Sequence, residues 1–300
     1  MGDFPAFWAH YSPDILDRLS RVVVPLHWIV RVPQQDGELA VMPQYATGFL
    51  ARLDSGHVLW VTAGHVLKGI KEQVGAQMPL KFRLCDGLAR PMPGREGVPV
   101  PISFDGESGT CPAFFVDDDK CGIDVGMLAL RPIVSQPLLA HGDRPLAPMR
   151  VAKPTRRFHF YCVLGAPRKA YTPTMGRTAT GGFVNSLVAC PLIPLRRLRA
   201  LRAWRTDVPR MHFEPMGEAP IDLADENGLL DASGMSGGPI VGVRVGRKYL
   251  SLYLVAVQAA QDRFDNNRRV LHATPAWPFF QATVAHLQPD PAPARVARAA

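Results

Sequence analysis

The sequence predicts an all-β protein whose strands form a sandwich or a barrel. From Arg21 onwards, short runs rich in Val, Ile, Leu and aromatic residues are separated by turn residues such as QQDGE, LDSG and CDG. Strands do not alternate with helical patterns, as they would in a doubly wound α/β protein. Many short strands with turns between them are typical of β-sandwiches and β-barrels.

The strand-like runs fall into two groups, separated by a Pro-rich link near residues 145–154. The first group comprises VVVPLHWIVRV, ATGFLARL, HVLWVTA, MPLKFRLC and DVGMLALRPI. The second comprises FHFYCVLGAP, GGFVNSLVAC, GPIVGVRV and YLSLYLVAVQAA. We therefore predict two β domains, at residues 21–147 and 148–285.

Both ends of the chain depart from this β pattern. Ser12 suits a helix cap and Pro13 the first helical position, so we predict a short helix over about residues 13–20. Residues 1–20 would then form an N-terminal extension outside the main fold. Residues 286–300 are rich in Pro and Ala without an apolar period, which predicts a disordered tail.

The net charge of +8 is largely local. Residues 195–205 hold five arginines, whereas residues 211–235 are acidic and contain no Lys or Arg. We interpret the two segments as internal charge compensation or as a solvated loop, and the alternative is a basic patch that binds a partner or nucleic acid. Without a zinc-finger spacing or an RNP-like strand, the sequence argues against nucleic acid as a partner. It also has no secretory signal and no apolar run of transmembrane length, so we expect no membrane association and a cytoplasmic location.

The cysteine pattern argues against metal and disulfide chemistry. The five cysteines are an odd number, and no CxxC pair occurs. Cys111 and Cys121 are spaced so that a bridge is conceivable, but buried free thiols are the simpler interpretation. Nothing in the sequence implies a metal or another cofactor.

The most informative motif is GMSGGP at residues 234–239, a glycine-flanked turn ahead of an apolar strand. Hydrolysis of an amide needs a nucleophile and donors for the oxyanion that forms on attack. Ser236 would supply the nucleophilic Oγ. The backbone N–H groups of Gly234 and Ser236 would form the oxyanion hole. A glycine-rich turn with a serine is a weak signal when it stands alone.

A candidate general base follows a predicted hairpin. His65 lies just past its second strand, where a rigid sheet would hold an imidazole at an exposed position. His57 is a rival in the same hairpin. It lies next to the turn at the start of the strand, so we interpret it as a surface residue.

A candidate partner for that base opens the strand DVGMLAL. Asp124 would accept a hydrogen bond from the imidazole Nδ1–H and so fix its tautomer. Asp117, Asp118 and Asp119 are rivals. They stand in a polar run before the strand and fit solvated loop positions better.

Taken together, these stretches resemble the trypsin-like serine peptidases, and among them the bacterial, disulfide-poor type. The order His, Asp, Ser is that of the chymotrypsin type. The resemblance covers roughly residues 20–280 and implies two antiparallel six-stranded β-barrels with the cleft between them. His65 and Asp124 would come from the first barrel and Ser236 from the second. The matching motifs are TAGH at 62–65, DVGMLAL at 124–130, GMSGGP at 234–239, GFLA at 48–51, YCVLGAP at 161–167 and LVAVQAA at 254–260.

Two departures from the family pattern bear on activation. Secreted animal members carry an aspartate just before the serine, which pairs with a newly cut N-terminus, whereas this chain has Met235. No cysteine flanks His65, so the usual disulfide is missing. Both departures argue against activation by N-terminal cleavage and fit a reducing compartment.

The resemblance also suggests which residues contact the substrate. Leu230 occupies the position at the base of the primary pocket, and Gln258, Ala259 and Ala260 lie on the strand along one wall. These residues predict cleavage after an uncharged aliphatic or aromatic residue. Asp231 is the rival: if it turned inward, it would select basic residues.

The function implied is that of a serine endopeptidase acting on a protein or peptide through an acyl-enzyme. The alternative is a catalytically dormant two-barrel protein. Such a protein would be a partner-activated protease or a binding scaffold in signalling or defence.

Overall fold

The structure, a computed structural model, describes most of the chain. The predicted arginine run, Leu230, Asp119 and Cys121 lie outside the described residues, as do residues 288–300 of the predicted tail. The described residues are 4–33, 38–75, 82–85, 99–104, 111–118, 123–140, 148–153, 156–165, 171–173, 183–185, 187–195, 211–216, 231–246, 249–263 and 269–287.

Within these ranges the protein is mostly β. The helices are α1 (Phe4–Leu19), α2 (Gly64–Gly75), α3 (Pro132–Ala140) and α4 (Ala276–Leu287). The strands are β1 (Leu26–Pro33), β2 (Leu39–Ala46), β3 (Phe49–Arg52), β4 (Val58–Thr62), β5 (Phe82–Cys85), β6 (Pro99–Ile102), β7 (Ala113–Asp118), β8 (Ile123–Leu130), β9 (Phe160–Gly165), β10 (Tyr171–Pro173), β11 (Phe183–Asn185), β12 (Val188–Pro194), β13 (Met211–Pro215), β14 (Pro239–Val245), β15 (Leu250–Arg263) and β16 (Arg269–Pro275). None of the helices described is both long and apolar enough to cross a membrane.

The second half of the chain forms a closed barrel, which we call the barrel. Its six strands are in the order β12, β13, β16, β15, β14 and β9, and every pair is antiparallel. Closure gives every strand two neighbours, and the interior is filled by side chains such as Val163, Phe213 and Ile240. One closed six-stranded antiparallel barrel therefore confirms the predicted architecture for this half.

The first half forms two four-stranded antiparallel sheets, which we call the paired sheets. One has the order β2, β1, β5, β6 and the other β3, β4, β8, β7. Residues from both sheets pack into one apolar cluster that includes Leu26, Trp60, Leu84 and Leu128. Strand β4 is buried along its whole length and β8 at every residue but its first, so both faces of the second sheet are covered.

The two halves are packed against each other through a second apolar cluster. It contains Phe49 and Met127 from the paired sheets together with Val241 and Leu254 from the barrel. Short parallel bridges, Ala51 to Met149 and Val151 to Leu254, tie the connecting segment to both halves. Since all four of these apolar side chains are buried, separating the halves would expose a large apolar surface to water.

The N-terminal helix differs from its prediction. It begins at Phe4, well before residue 13, so Pro13 lies inside the helix. Nor does it lie outside the main fold: Ile15 and Leu19 are fully buried in the cluster shared by the two halves. Rings of α1 also contact Phe160 of β9. The sequence pattern missed this because the first turns are aromatic, and their burial depends on a barrel residue far along the chain.

Candidate functional site

His65 and Asp124 form a close pair at the edge of the paired sheets. His65 is the second residue of α2, directly after β4, and Asp124 is the second residue of β8. The turn between β4 and α2 requires glycine at position 64, because a Cβ there would overlap the Val116 carbonyl oxygen. The tight turn therefore places the imidazole beside the carboxylate.

The geometry of this pair fixes the orientation of the imidazole. Asp124 Oδ1 accepts a hydrogen bond from the backbone N–H of His65 at 2.9 Å, and Oδ2 lies 2.8 Å from His65 Nδ1. Because an ionised carboxylate only accepts, Nδ1 carries the proton and Nε2 is the basic nitrogen of the neutral ring. The His65 side chain is 45% exposed and that of Asp124 only 11%, so the imidazole is accessible to solvent while the carboxylate that holds it is buried.

The loop at residues 231–238 carries Ser236, which is half-buried, between two tight turns. The amide of Met235 donates to the carbonyl of Ala232 at 2.9 Å, and that of Gly238 donates to the carbonyl of Met235 at 2.8 Å. Gly234 has a φ of 85°, a backbone conformation that strongly favours glycine. We call this segment the serine loop.

The serine loop contacts the strand end that leads to His65. A Cβ at Gly237 would overlap Thr62 Oγ1 and lie 2.9 Å from the backbone nitrogen of Ala63. Gly237 adjoins Ser236, and Ala63 is two residues before His65. The two segments are therefore in direct contact beside the predicted nucleophile and base.

Two backbone amides of the serine loop stand apart from their neighbours. The N–H groups of Met235, Gly237 and Gly238 all have backbone acceptors. Those of Gly234 and Ser236 form no hydrogen bond with any residue in the described ranges. These are the two donors that the sequence predicts for an oxyanion hole, and donors without a protein acceptor are what such a hole requires.

The side chain of Met235 anchors the serine loop to the barrel. This side chain is fully buried in the apolar interior of the barrel, in one cluster with Ala232 and Ile240. A Cβ at Gly165 would come within 2.9 Å of the Met235 Cβ, so the fit is tight. Apolar packing holds the loop at the position where the animal enzymes of the resembled family carry an ion pair.

The rivals considered from sequence have other partners. His57 is exposed, and its Nδ1 lies 2.9 Å from Ser55 Oγ within the turn. Asp117 forms a salt bridge of 2.9 Å with Lys68 of α2. Asp118 ends β7, in a half-exposed position.

The buried thiols do not compete as nucleophiles. Cys162 and Cys190 are buried and free, which confirms the interpretation as buried free thiols for these two, and Cys111 is also buried. Burial raises the pKa of the Cys162 thiol, and it raises the pKa of Cys190 to about 12. A thiol that stays protonated at neutral pH is a poor nucleophile.

The predicted specificity residues are only partly placed. Gln258 and Ala259 are buried in β15 and Ala260 is exposed, next to a bulge in the register with β16. Asp231 is half-buried and accepts a hydrogen bond from the Ser233 amide at 3.1 Å, so its carboxylate supports the turn. Leu230 lies outside the described residues.

Gln258 joins the serine loop to the barrel through its backbone. Its carbonyl accepts from Gly237 N at 2.7 Å, and its amide donates to the Gly238 carbonyl at 2.9 Å. Its side-chain Nε2 is 3.4 Å from the Ala260 carbonyl, whereas its buried Oε1 has no partner among the described residues. The loop is thus held in register with β15.

Sequence reasoning missed a second histidine arrangement, on the barrel strands. His272 Nε2 donates to Asp262 Oδ2 at 2.9 Å, and its Nδ1 lies 3.0 Å from His212 Nδ1. The three residues stand on neighbouring strands, which the sequence could not reveal before β13 and β16 were paired. With its side chain only 1% exposed, His272 is closed to a polymer substrate, unlike His65.

Sequence reasoning also missed three threonines, Thr47, Thr62 and Thr274, whose hydroxyls bond to the backbone of this region. Thr47 and Thr62 do stand within quoted motifs, but nothing marked their hydroxyls. No group of three or more His, Cys, Asp or Glu suited to a metal occurs in the part of the chain that the structure describes.

No model of a known protein family matches the chain, and no curated protein matches it either. Any statement about function therefore depends on the chemistry of the site.

Proposed function

We propose that the chain is a serine endopeptidase of the trypsin-like type, with Ser236, His65 and Asp124 as its catalytic triad. One observation carries the proposal. Asp124 engages His65 through both carboxylate oxygens, while the serine loop contacts the strand end that leads to His65. A base fixed in one tautomer, on a segment that adjoins a glycine-flanked serine loop, is the arrangement that acyl transfer needs.

The reaction follows from the roles of these atoms. Ser236 Oγ attacks the scissile carbonyl carbon while His65 Nε2 takes the hydroxyl proton. The carbonyl oxygen becomes an oxyanion, which the amides of Gly234 and Ser236 stabilise. His65 then gives the proton to the leaving amine, and an acyl-enzyme forms. Water repeats the sequence, with His65 again as base, and frees Ser236. Asp124 holds the imidazole throughout.

A peptide substrate suits the strand beside the loop. Strand β14 pairs with β15 only as far as Val257, so Ala260 has no partner on β14 and is exposed. An extended substrate backbone would bind along this segment, as strand addition. We assign Gln258, Ala259 and Ala260 to one wall of the primary pocket and Leu230 to its base, with Asp231 as the rival for that position.

The finer fold proposed is that of two barrels. Strands β2 and β3 are separated only by residues 47 and 48, so they act as one bent strand. If β6 and β7 also act as one, the paired sheets become six strands in a ring. The existing pairs of β1 with β2, β3 with β4, β4 with β8, β7 with β8, β5 with β6 and β1 with β5 supply every neighbour in that ring.

The proposed compartment is reducing, and therefore cytoplasmic. Cys162 and Cys190 are buried free thiols, and free thiols persist where glutathione and thioredoxin keep them reduced. The buried Met235 also removes the need for a cleaved N-terminus to order the serine loop.

Covalent labelling tests the proposal. A fluorophosphonate probe transfers its phosphonyl group to an activated serine and loses fluoride, so it reports a formed site without knowledge of the substrate. We expect wild-type protein to be labelled at Ser236, and Ser236→Ala to be unlabelled. The matched control is Ser233→Ala, which removes an exposed serine from the same loop and should leave labelling unchanged.

The outcomes separate the functions. Labelling that survives Ser236→Ala would show that another nucleophile acts. No labelling of folded protein under any condition would favour a binding scaffold. Labelling only after addition of a partner would favour a partner-activated protease.

A further inference from the structure

We infer that two buried threonines, Thr274 and Thr47, are reciprocal positioning residues. Each half of the molecule uses one of them to hold a catalytic group that the other half supplies. The inference rests on the proposed function, since the groups held are members of the proposed peptidase site. Neither threonine touches the reacting atoms.

Thr274 belongs to β16 of the barrel and holds Asp124 of the paired sheets. Its Oγ1 accepts a hydrogen bond from the backbone N–H of Asp124 at 2.9 Å and donates to the Asp124 carbonyl at 3.2 Å. Both residues are buried, and they are 150 positions apart. A single hydroxyl therefore binds both backbone polar groups of the residue that orients His65.

The need for this contact follows from the sheet. Strand β4 pairs with β8 only as far as Gly126, so it offers no partner to the backbone of Asp124 two residues earlier. Buried backbone groups without partners are costly. Thr274 supplies a donor and an acceptor at this position, and so fixes the strand end that carries the carboxylate.

Thr47 belongs to the paired sheets and holds Gly234 of the barrel half. It lies between β2 and β3, fully buried, and its Oγ1 donates to the Gly234 carbonyl at 2.8 Å. Its own carbonyl accepts from Thr62 Oγ1 at 2.7 Å, which fixes Thr47 in turn. The Met235 N–H, which belongs to the same peptide unit as the Gly234 carbonyl, donates to the Ala232 carbonyl. That peptide unit is therefore held at both ends.

This contact matters because Gly234 has little conformational preference of its own. At a φ of 85° a glycine moves between backbone states more easily than other residues do. Its N–H is one of the two proposed oxyanion donors. This N–H lies in the preceding peptide unit, and the φ and ψ of Gly234 set its direction relative to the peptide unit that Thr47 holds. Loss of the hydroxyl would let this donor rotate away from the oxyanion.

Threonine suits both positions. Its β-branch restricts χ1, and its hydroxyl serves as donor and acceptor at once. At a buried contact between two halves, water is not at hand to replace the lost bond. Removing either hydroxyl should therefore disturb a different catalytic group while leaving the apolar packing in place.

The test compares Thr274→Val and Thr47→Val, each with its serine counterpart as rescue. For Thr274→Val we expect kcat/KM to fall about ten-fold, with a shifted pH profile and a displaced ¹H NMR resonance of the His65 Nδ1 proton. For Thr47→Val we expect kcat to fall about ten-fold with KM little changed. Binding of a peptide aldehyde, whose hemiacetal oxygen occupies the oxyanion hole, should weaken to match. In Thr47→Val the resonance of the His65 Nδ1 proton should stay at its wild-type position.

The control is Thr283→Val, another buried threonine at the junction of the halves. Its Oγ1 donates to the Phe279 carbonyl at 3.0 Å and lies 3.6 Å from Met127 Sδ on β8, with no contact to a catalytic group. This variant should keep wild-type kinetics, and Tm measurements on all variants identify any that misfold. If a valine variant misfolds, the corresponding serine variant, which keeps the hydroxyl, is measured instead. Its kinetic parameters must lie within about two-fold of wild type, with the His65 Nδ1–H resonance unchanged.

The inference is overturned if the folded valine variants match wild type, or if both change the same parameters as Thr283→Val. Its failure is distinct from that of the proposed function. Wild-type protein that no fluorophosphonate labels removes the peptidase, whereas the His65 resonance still reports whether Thr274 positions Asp124. Labelled wild type with unaffected threonine variants removes the inference alone.

Discussion

Replacing Met235 by aspartate tests whether apolar packing holds the serine loop in its ordered conformation. The side chain at this position is fully buried in the apolar cluster with Ala232 and Ile240. An aspartate there would be an unpaired buried charge, which costs roughly 3–5 kcal/mol. Because each 1.4 kcal/mol is a factor of ten, the ordered loop should become about 10²- to 4 × 10³-fold less populated.

The assay is the rate of fluorophosphonate labelling relative to wild type, measured between about pH 5 and pH 8. Burial disfavours the carboxylate, so the ordered loop holds the introduced aspartate in its protonated form more readily than the open loop does. The deficit of Met235→Asp should therefore be greatest at pH 8 and shrink as pH falls. Met235→Leu conserves the volume and should label within a few-fold of wild type.

Two results would refute this reasoning. One is Met235→Asp protein that labels at the wild-type rate across the pH range, because the loop would then not depend on apolar anchoring. The other is wild-type protein that labels only after cleavage within about its first 25 residues. The second result would also require α1 to leave a site where Ile15 and Leu19 are fully buried.

Two further predictions concern specificity and acid stability. A peptide library should show cleavage after uncharged aliphatic or aromatic residues; dominant cleavage after Lys or Arg that disappears in Asp231→Ala would contradict the pocket assigned to Leu230. Burial lowers the pKa of His27 from 6.5 to about 4. As pH falls, the unfolded chain therefore binds a proton at His27 before the folded chain does. The stability contributed by neutral His27 is fully present above about pH 6.5 and is lost as pH falls toward 4. The total loss is roughly 3 kcal/mol. Urea unfolding at about pH 7 and pH 4.5 should show a smaller difference in His27→Gln than in wild type, and an equal difference would refute the assignment.

The fold was predictable as far as local pattern carries it. The alternation of short apolar runs and turns predicts a β protein, and the barrel of β9 and β12 to β16 confirms it. The helix α1 was placed wrongly because its start depends on packing against Phe160, which no local signal records. The excess of aromatic residues in its first turns is the only trace of that contact in the sequence.

The candidate site shows the same division. His65 and Asp124 stand at strand ends with motif context, so sequence reasoning could pair them, and the structure places the imidazole Nδ1 and the carboxylate Oδ2 2.8 Å apart. Thr274 gave no such signal, because a threonine near the end of a strand is ordinary. Its role appears only when β16 and β8 are brought together over 150 positions of sequence.

The interleaving of the two halves has a consequence for how the site can be lost. The proposed base and its carboxylate partner come from the half with the paired sheets, whereas the proposed nucleophile and both proposed oxyanion donors come from the barrel half. Thr47 and Thr274 cross the junction in opposite directions, and α1 buries Ile15 and Leu19 in the cluster that both halves share. A change at any of these points should therefore abolish the proposed activity before either half unfolds. The site needs both halves in register, whereas each half also has an apolar cluster of its own.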